Sequence, residues 1–436
     1  MAEKEEVKEI DYSLNNPDTL TKYKDAAQIS HKVLAAVTGL CLAGEKIVTI
    51  CEKGDKLLEE EIAKVYRGKK IAKGQQSHFP GFHYMAINRY TGISHPTTVS
   101  PSSFVTPYTP LTSDEAEAAV TLKEGEAIKI QLGAQIDGFG TIVCDTIIIP
   151  SADNANDEIK DRDADLLLAT HYANEVLLRL MVPPGLLATG SDEEKQKAAS
   201  AKAPTQTKIT TLLEKVVKSY DCNLVEHTTS WQFERNEIEG KKKIILAPGD
   251  GSKGDGVPEV GEVWGVEMGV SLGSGKIKNY ENRPTLHRRT TLTYALKRPS
   301  SKHILNEVVK KFGTFPFSLR QLDSERDAKV GVVECVRGNV FRQYEVVGDK
   351  DNEPVARLLT TVAITKNGLQ KIAAPPAPDL SKLKTDKKIT DDEILEILKQ
   401  PLAKESKPKN KKKKKKTAKK TTAAAGEEGE SSGDEE

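Results

Sequence analysis

The sequence predicts an α+β fold, because segments of helical period come in pairs ahead of β-rich segments and this succession occurs twice along the chain. That repetition points to a body of two related halves. A further observation bounds it: beyond residue 403 no stretch is apolar enough to build a core.

Residues 20–43 read as the first helix, since Ala26, Ala27, Ile29, Val33, Leu34 and Val37 recur near a 3.6 period. Residues 55–66 read as a second, with Leu57, Leu58, Ile62 and Val65 on one side. Residues 75–90 are polar, aromatic and punctuated by Gly and Pro, as in a long loop. There His78 and His83 with Phe79, Phe82 and Tyr84 fit either a ligand-contacting loop or an ordinary packed insertion. Two β-rich runs, 127–136 and 140–149, meet at Asp137-Gly138, a dipeptide that tolerates the positive φ of a tight hairpin. Residues 163–181 form an apolar helix stopped by Pro183 and Pro184, whereas 188–205 lack large apolar residues and read as a flexible insertion. Helices are expected at 208–220 and 302–312, strands at 262–271, 340–347 and 356–365, and a short helix at 391–398.

The 436 residues divide into an N-terminal extension (1–19), a body (20–375) and a tail (376–436). No run of 18 apolar residues occurs and the first twelve residues are rich in Glu and Lys, so neither a membrane span nor a signal peptide is expected. The five cysteines are scattered, without zinc-knuckle or disulfide-framework spacing, and read as reduced and mostly buried. A net charge of +1 conceals a polarised tail: residues 404–420 hold eleven lysines, and 427–436 hold six acids and no base. Without those two segments 54 basic and 57 acidic residues remain, a slightly acidic body.

The segments EGEAIKIQLGAQIDGFG and TIVCDTIII, then GEVWGVEMGVSLGSGK, FPFSLRQL, GVVEC and ARLLTTVAITKNG, are similar to type 2 methionine aminopeptidases over residues 22–371. With its lysine-rich C-terminus, the chain most resembles the proliferation-associated, curved-DNA-binding branch of that superfamily. This resemblance implies the pita-bread fold with a helical subdomain inserted at about 210–302, a disordered basic tail, and a protein that is not a peptidase.

Enzymes of the superfamily bind two divalent metals through two aspartates, a histidine and two glutamates, with another histidine near the substrate. Hard ligands hold the ions together and generate a hydroxide nucleophile. By the resemblance, the aspartates correspond to Gln131 and Ile142, the ligand histidine to Trp231, the glutamates to Glu267 and Leu359, and the substrate-side histidine to Pro107. Only Glu267 keeps its ligand chemistry. Asp145 cannot replace Ile142, because a strand offset of three residues turns it to the opposite face. No metal, other cofactor or catalytic residue is therefore expected. The eight histidines show no metal-binding spacing, and no Walker loop, nucleophile elbow or dinucleotide fingerprint is present.

Basic residues carry the binding expectation. Lys411, Lys412, Lys413, Lys414, Lys415 and Lys416 can displace counterions from a phosphate backbone, with steep salt dependence and little sequence selectivity. The same run also reads as a nuclear-import signal or a solvated tail. The following acids can compete for these lysines, more strongly if Ser431 and Ser432 are phosphorylated. Within the body, Lys241, Lys242, Lys243, Lys253, Lys276, Lys278, Arg288, Arg289, Lys297, Arg298 and Lys302 are further candidates. The resemblance implies that 210–302 docks on the ribosome near the nascent-chain exit, through ribosomal RNA and proteins. The expectation is a ribosome- and RNA-associated factor of cytoplasm, nucleus and nucleolus, with protein partners in the old cleft and no membrane. DNA binding and residual metallo-aminopeptidase activity are the alternatives.

Overall fold

A computed structural model describes residues 11–65, 91–150, 158–249 and 254–404. In chain order its main elements are α1 (Pro17–Leu40), α2 (Ile47–Lys64), β1 (Thr91–Pro101), β2 (Ala127–Ile136), β3 (Val143–Ile148), α3 (Asp161–Leu180), α4 (Gln206–Lys218), β4 (Thr228–Phe233) and β5 (Lys243–Leu246). They continue with β6 (Val263–Ser271), α5 (Pro299–Lys311), α6 (Glu325–Arg337), β7 (Val355–Thr365), β8 (Gly368–Ala373) and α7 (Asp392–Lys399).

The central sheet has ten strands and runs β1-β2-β3-β7-β6-β4-β5 along its main path. The first three positions come from one chain half and the rest from the other, and α1/α2 and α3/α4 precede the respective halves. The β2–β3 hairpin turns at Asp137 (φ 54°) and Gly138 (φ 83°), the paired positive φ values that the Asp-Gly dipeptide anticipates.

One face of the sheet lies under the helices. Ile128, Ile130 and Leu132 of β2 belong to a core shared with Ala26, Val33 and Leu34 of α1. Trp264, Val266 and Met268 of β6 belong to a second core with Leu166, Leu177 and Leu213 of α3 and α4. A third core, with Ile304, Val308, Ala328 and Val332, joins α5 to α6. Across the first half, Asp55 of α2 meets Arg320 at 2.8 Å in a buried ion pair.

The halves meet at β3 and β7, where the ladder is thin: Leu359 is in register with Cys144. Threonine hydroxyls replace part of the ladder. Thr361 Oγ1 accepts from the Ile142 N–H at 2.9 Å and donates to the Ile142 carbonyl at 2.7 Å. Thr146 Oγ1 accepts from the Arg357 N–H at 2.7 Å and donates to the Arg357 carbonyl at 2.6 Å.

Several expectations need correction. Helix α2 starts at Ile47, eight residues earlier than expected, because Ile47, Val48 and Ile50 are buried despite their poor helix propensity. The segment 188–205 contains the helix Asp192–Ala199, nucleated by a Ser191–Glu194 capping box. Helix α6 fills the span before residue 340 and was not anticipated. The strand expected at 340–347 is split into Phe341–Gln343 and Val347–Asp349. Residues 210–302 hold most of α4 and then mainly strands, so that segment is not helical. Pairing of β4, β5 and β6 into the central sheet is the reason. The loop 75–90 and residues 405–436, with Ser431 and Ser432, lie outside the described residues, as do residues 1–10 of the N-terminal extension.

Candidate functional site

Strand register places a row of side chains across the sheet: Thr98 opposite Gln131, Gln131 opposite Cys144, Cys144 opposite Leu359, and Leu359 opposite Glu267. Paired residues share a face, so Gln131, Leu359 and Glu267 stand on one side of the sheet. Asp145, in register with Ile130, belongs to the other side.

Arg357, two residues before Leu359 and on its face, lies between the polar members of this row. Its guanidinium donates to Glu267 through Nε at 2.9 Å and also through Nη2, which reaches Gln131 Oε1 at 3.1 Å. Gln131 Nε2 meets His95 Nε2 at 3.0 Å, and His95 Nδ1 meets the Pro96 carbonyl at 2.8 Å. Arg357, Gln131 and His95 are 4%, 5% and 3% exposed, while the Glu267 end of this chain of hydrogen bonds is half-buried. Burial opposes the Arg357 charge, but Glu267 holds the guanidinium above its ordinary range. Burial also drives His95 down to about 4, leaving it neutral near pH 7.

Lys129 lies one step along the same face and is fully buried. Its Nζ donates to the carbonyls of Pro101, at 3.2 Å, and Ser102. Burial, reinforced by the Arg357 charge, pulls it well below the usual lysine range.

The apolar positions pack separately from this network. Ile142 and Leu359 belong to one buried cluster, with Trp231 against its edge. Trp231 pairs with Gly265, not with Glu267, so it sits off the row. Pro107 stands in the loop after β1, between Thr106, whose hydroxyl donates to the Glu345 carbonyl at 3.0 Å, and Tyr108. Neither strand register nor a hydrogen bond joins it to the row.

This donor set does not fit two divalent cations. Gln131 is neutral, Ile142 and Leu359 offer no donor atom, and the Glu267 carboxylate already faces a fixed cation. Among the described residues, no group of three His, Cys, Asp or Glu side chains could hold a metal ion. The arrangement is a charge pair wedged into the sheet, with Arg357 Nη1 buried and without a hydrogen-bond partner. Arg357, His95 and Lys129 escaped the motif comparison because none replaces a ligand position. The available signal was a charged side chain inside an otherwise apolar or hydroxylated strand.

The structure scatters the basic candidates. Lys241, Lys276, Lys297, Arg298 and Lys302 are exposed, while Lys242 is paired with Glu259 and Glu262. Lys243 lies over the Trp231 ring at 5.5 Å and Lys278 over the Tyr280 ring at 5.8 Å. Arg289 is half-buried. Arg288 is buried and its guanidinium meets Glu237 and Glu239, so it does not present a free cation to a polyanion. Lys253 and the lysines 411–416 lie outside the described residues. Exposed Leu292 and Tyr294 adjoin Lys297 and Arg298 in sequence, a combination that composition alone did not single out.

No protein-family model matches the chain. It is 36% identical over 406 residues to the curved DNA-binding protein of Schizosaccharomyces pombe, a match covering 92% of this chain and 95% of that protein. To proliferation-associated protein A of Dictyostelium discoideum it is 30% identical over 402 residues, covering 92% and 93% of the two chains. A solved structure described as a thermophilic Arx1 is similar at a TM-score of 0.83 and 68% identity, covering 89% of this chain and 99% of that one. The fold is the pita-bread architecture. With two relatives at or above 30% identity matched over nearly their whole lengths, the chain belongs to the family of curved DNA-binding and proliferation-associated proteins.

Proposed function

We propose that this protein is a non-catalytic member of the pita-bread superfamily that works by binding ribosomes and RNA, in ribosome biogenesis or translation, in both cytoplasm and nucleus. The observation that carries the non-catalytic reading is the Arg357 guanidinium held between Gln131 and Glu267. A fixed cation hydrogen-bonded there competes with any divalent ion for the remaining carboxylate. The binding partner is argued from the motif resemblance, from the lysine-rich segment 404–420, and from the exposed Lys297 and Arg298. The cleft face around this pair then serves as a docking surface for protein. No helix among the described residues is long and apolar enough to cross a membrane.

Co-sedimentation of the full chain with purified ribosomes through a salt series tests this. The expected result is association at low salt that falls steeply as salt rises, as for contacts that displace counterions. Protein remaining in the light fractions at every salt concentration sinks ribosome association. Elemental analysis and a methionyl-peptide assay with added cobalt or manganese test the other half: two bound metals with saturable turnover restore the aminopeptidase alternative. The similarity to the curved DNA-binding protein of Schizosaccharomyces pombe favours DNA as a second reading. Competition between ribosomal RNA and curved duplex DNA separates the two.

A further inference from the structure

Behind the vestigial row, on the helix-covered face, lies a cavity of about 410 Å³. Asp145 and Ile147 of β3 and Leu358 of β7 form one side, and Thr170, His171 and Asn174 of α3 form another. The segment 374–379, Ala-Pro-Pro-Ala-Pro-Asp, borders it. The volume falls within the range of roughly 300–1,000 Å³ usual for small-molecule sites.

The polar groups are unevenly satisfied. Asp145 Oδ1 accepts the Thr146 N–H at 2.9 Å, and no cation pairs with this carboxylate among the described residues. Asn174 is 4% exposed and its Oδ1 has no hydrogen-bond partner. Neighbouring donors are committed elsewhere. The Thr170 hydroxyl donates to the Leu166 carbonyl at 2.7 Å, and the Lys371 ammonium is held by Glu175. Pro375, Pro376 and Pro378 have no N–H to offer. The other ionisable groups at the cavity are exposed Lys382 and exposed Asp379, whose carboxylate accepts from Ser381. His171 is pushed down by burial, so it does not neutralise Asp145 near pH 7.

We propose that this cavity binds a small organic cation, an ammonium or amidinium group on an apolar stem. The charged head meets the Asp145 carboxylate and the Asn174 amide oxygen, and the stem lies against Ile147, Leu167 and Leu358. A half-buried carboxylate without a counter-charge is costly, and a ligand cation removes that cost. Burial raises the Asp145 carboxyl to about 7, so such a ligand binds better as pH rises through neutrality. This inference is independent of the ribosome reading, since it concerns the opposite face of the sheet.

The full chain titrated with n-hexylamine and benzamidine near pH 8, followed by saturation-transfer NMR, tests it. n-Hexanol and hexanoate serve as neutral and anionic controls. Saturable binding of both cations is expected, with hexanol at least about tenfold weaker, the effect of losing one charge-assisted hydrogen bond. Asp145→Asn should weaken hexylamine at least about tenfold without lowering the thermal midpoint. Equal binding of hexanol, preferential binding of hexanoate, absence of saturable cation binding, or an unchanged affinity in Asp145→Asn each overturns the proposal. A blocked lysine tripeptide represents the same head group delivered by a protein. Weaker binding than hexylamine supports a small-molecule occupant, and tighter binding overturns it.

Discussion

Arg357 satisfies Gln131 and Glu267 at once, and the energetic consequence is asymmetric. Removing the guanidinium leaves a half-buried carboxylate and a buried amide without their donor, whereas removing both charges leaves little to compensate. Arg357→Met should therefore lower unfolding free energy by about 3 kcal/mol in urea titrations, and the double substitution with Glu267→Gln should recover a substantial part of that loss. An additive double mutant would show that the pair is not energetically coupled. Asp145 gives a prediction with a defined pH sign. Its carboxyl titrates near 3.8 in the unfolded chain and at about 7 in the folded one, so stability falls as pH rises through this window. Asp145→Asn should raise stability by about 2–4 kcal/mol near pH 8 and leave it nearly unchanged near pH 4. A pH-independent effect would contradict the linkage. Neither residue could be assigned this behaviour from sequence, since it depends on which face of the sheet is covered and which partner crosses the strand boundary.

At the scale of elements, Gly54 shows why α2 takes its course. A Cβ there would meet Thr97 Cγ2 at 2.5 Å, so the helix lies directly on β1. Gly54→Ala should cost about 1–3 kcal/mol, opposite in sign to the usual gain in helix propensity, and thermal unfolding will read the direction. The sequence pattern is blurred here, because the β-branched run Ile47, Val48, Thr49 and Ile50 followed by Gly54 reads against a helix, and the expected start of α2 falls after that glycine. Legibility followed local chemistry elsewhere too. The Asp-Gly hairpin and the apolar periodicity of α1 and α3 are encoded in adjacent residues. Helix α6 was hidden because its buried side consists of small or short residues, Ala328, Gly331, Val332 and Cys335, while Val330 and Val333 face outward. The strands of 210–302 owe their state to sheet pairing, β4 with β5 and β6 inside the segment and β6 with β7 beyond it, over separations wider than a periodicity window.

Across the molecule, all five cysteines are free and buried. Burial raises the Cys41, Cys144 and Cys335 thiols to about 12 and those of Cys51 and Cys222 to about 11. Near pH 8 the native protein should react only slowly with a thiol reagent, and five equivalents should titrate once it is unfolded in urea. Rapid native labelling would contradict this placement. The fold class was legible because many separate segments agree on it, whereas the ligand correspondences of Gln131, Ile142 and Leu359 are what the motif resemblance implies. The hydrogen-bonded network was not legible, since it joins residues 95, 131, 267 and 357, which only the sheet register brings within reach of one another.

The thin seam between β3 and β7 has a mechanical consequence. Thr146 and Thr361 act as two pins between otherwise continuous plates, each pin carrying one accepted and one donated hydrogen bond. Load crossing from one half to the other is thus concentrated on side chains that a single substitution can remove. Thr361→Val should make the amides of Ile142 and its neighbours exchange with deuterium ahead of those in the β6–β7 ladder, so that the sheet opens along this line while each half stays folded.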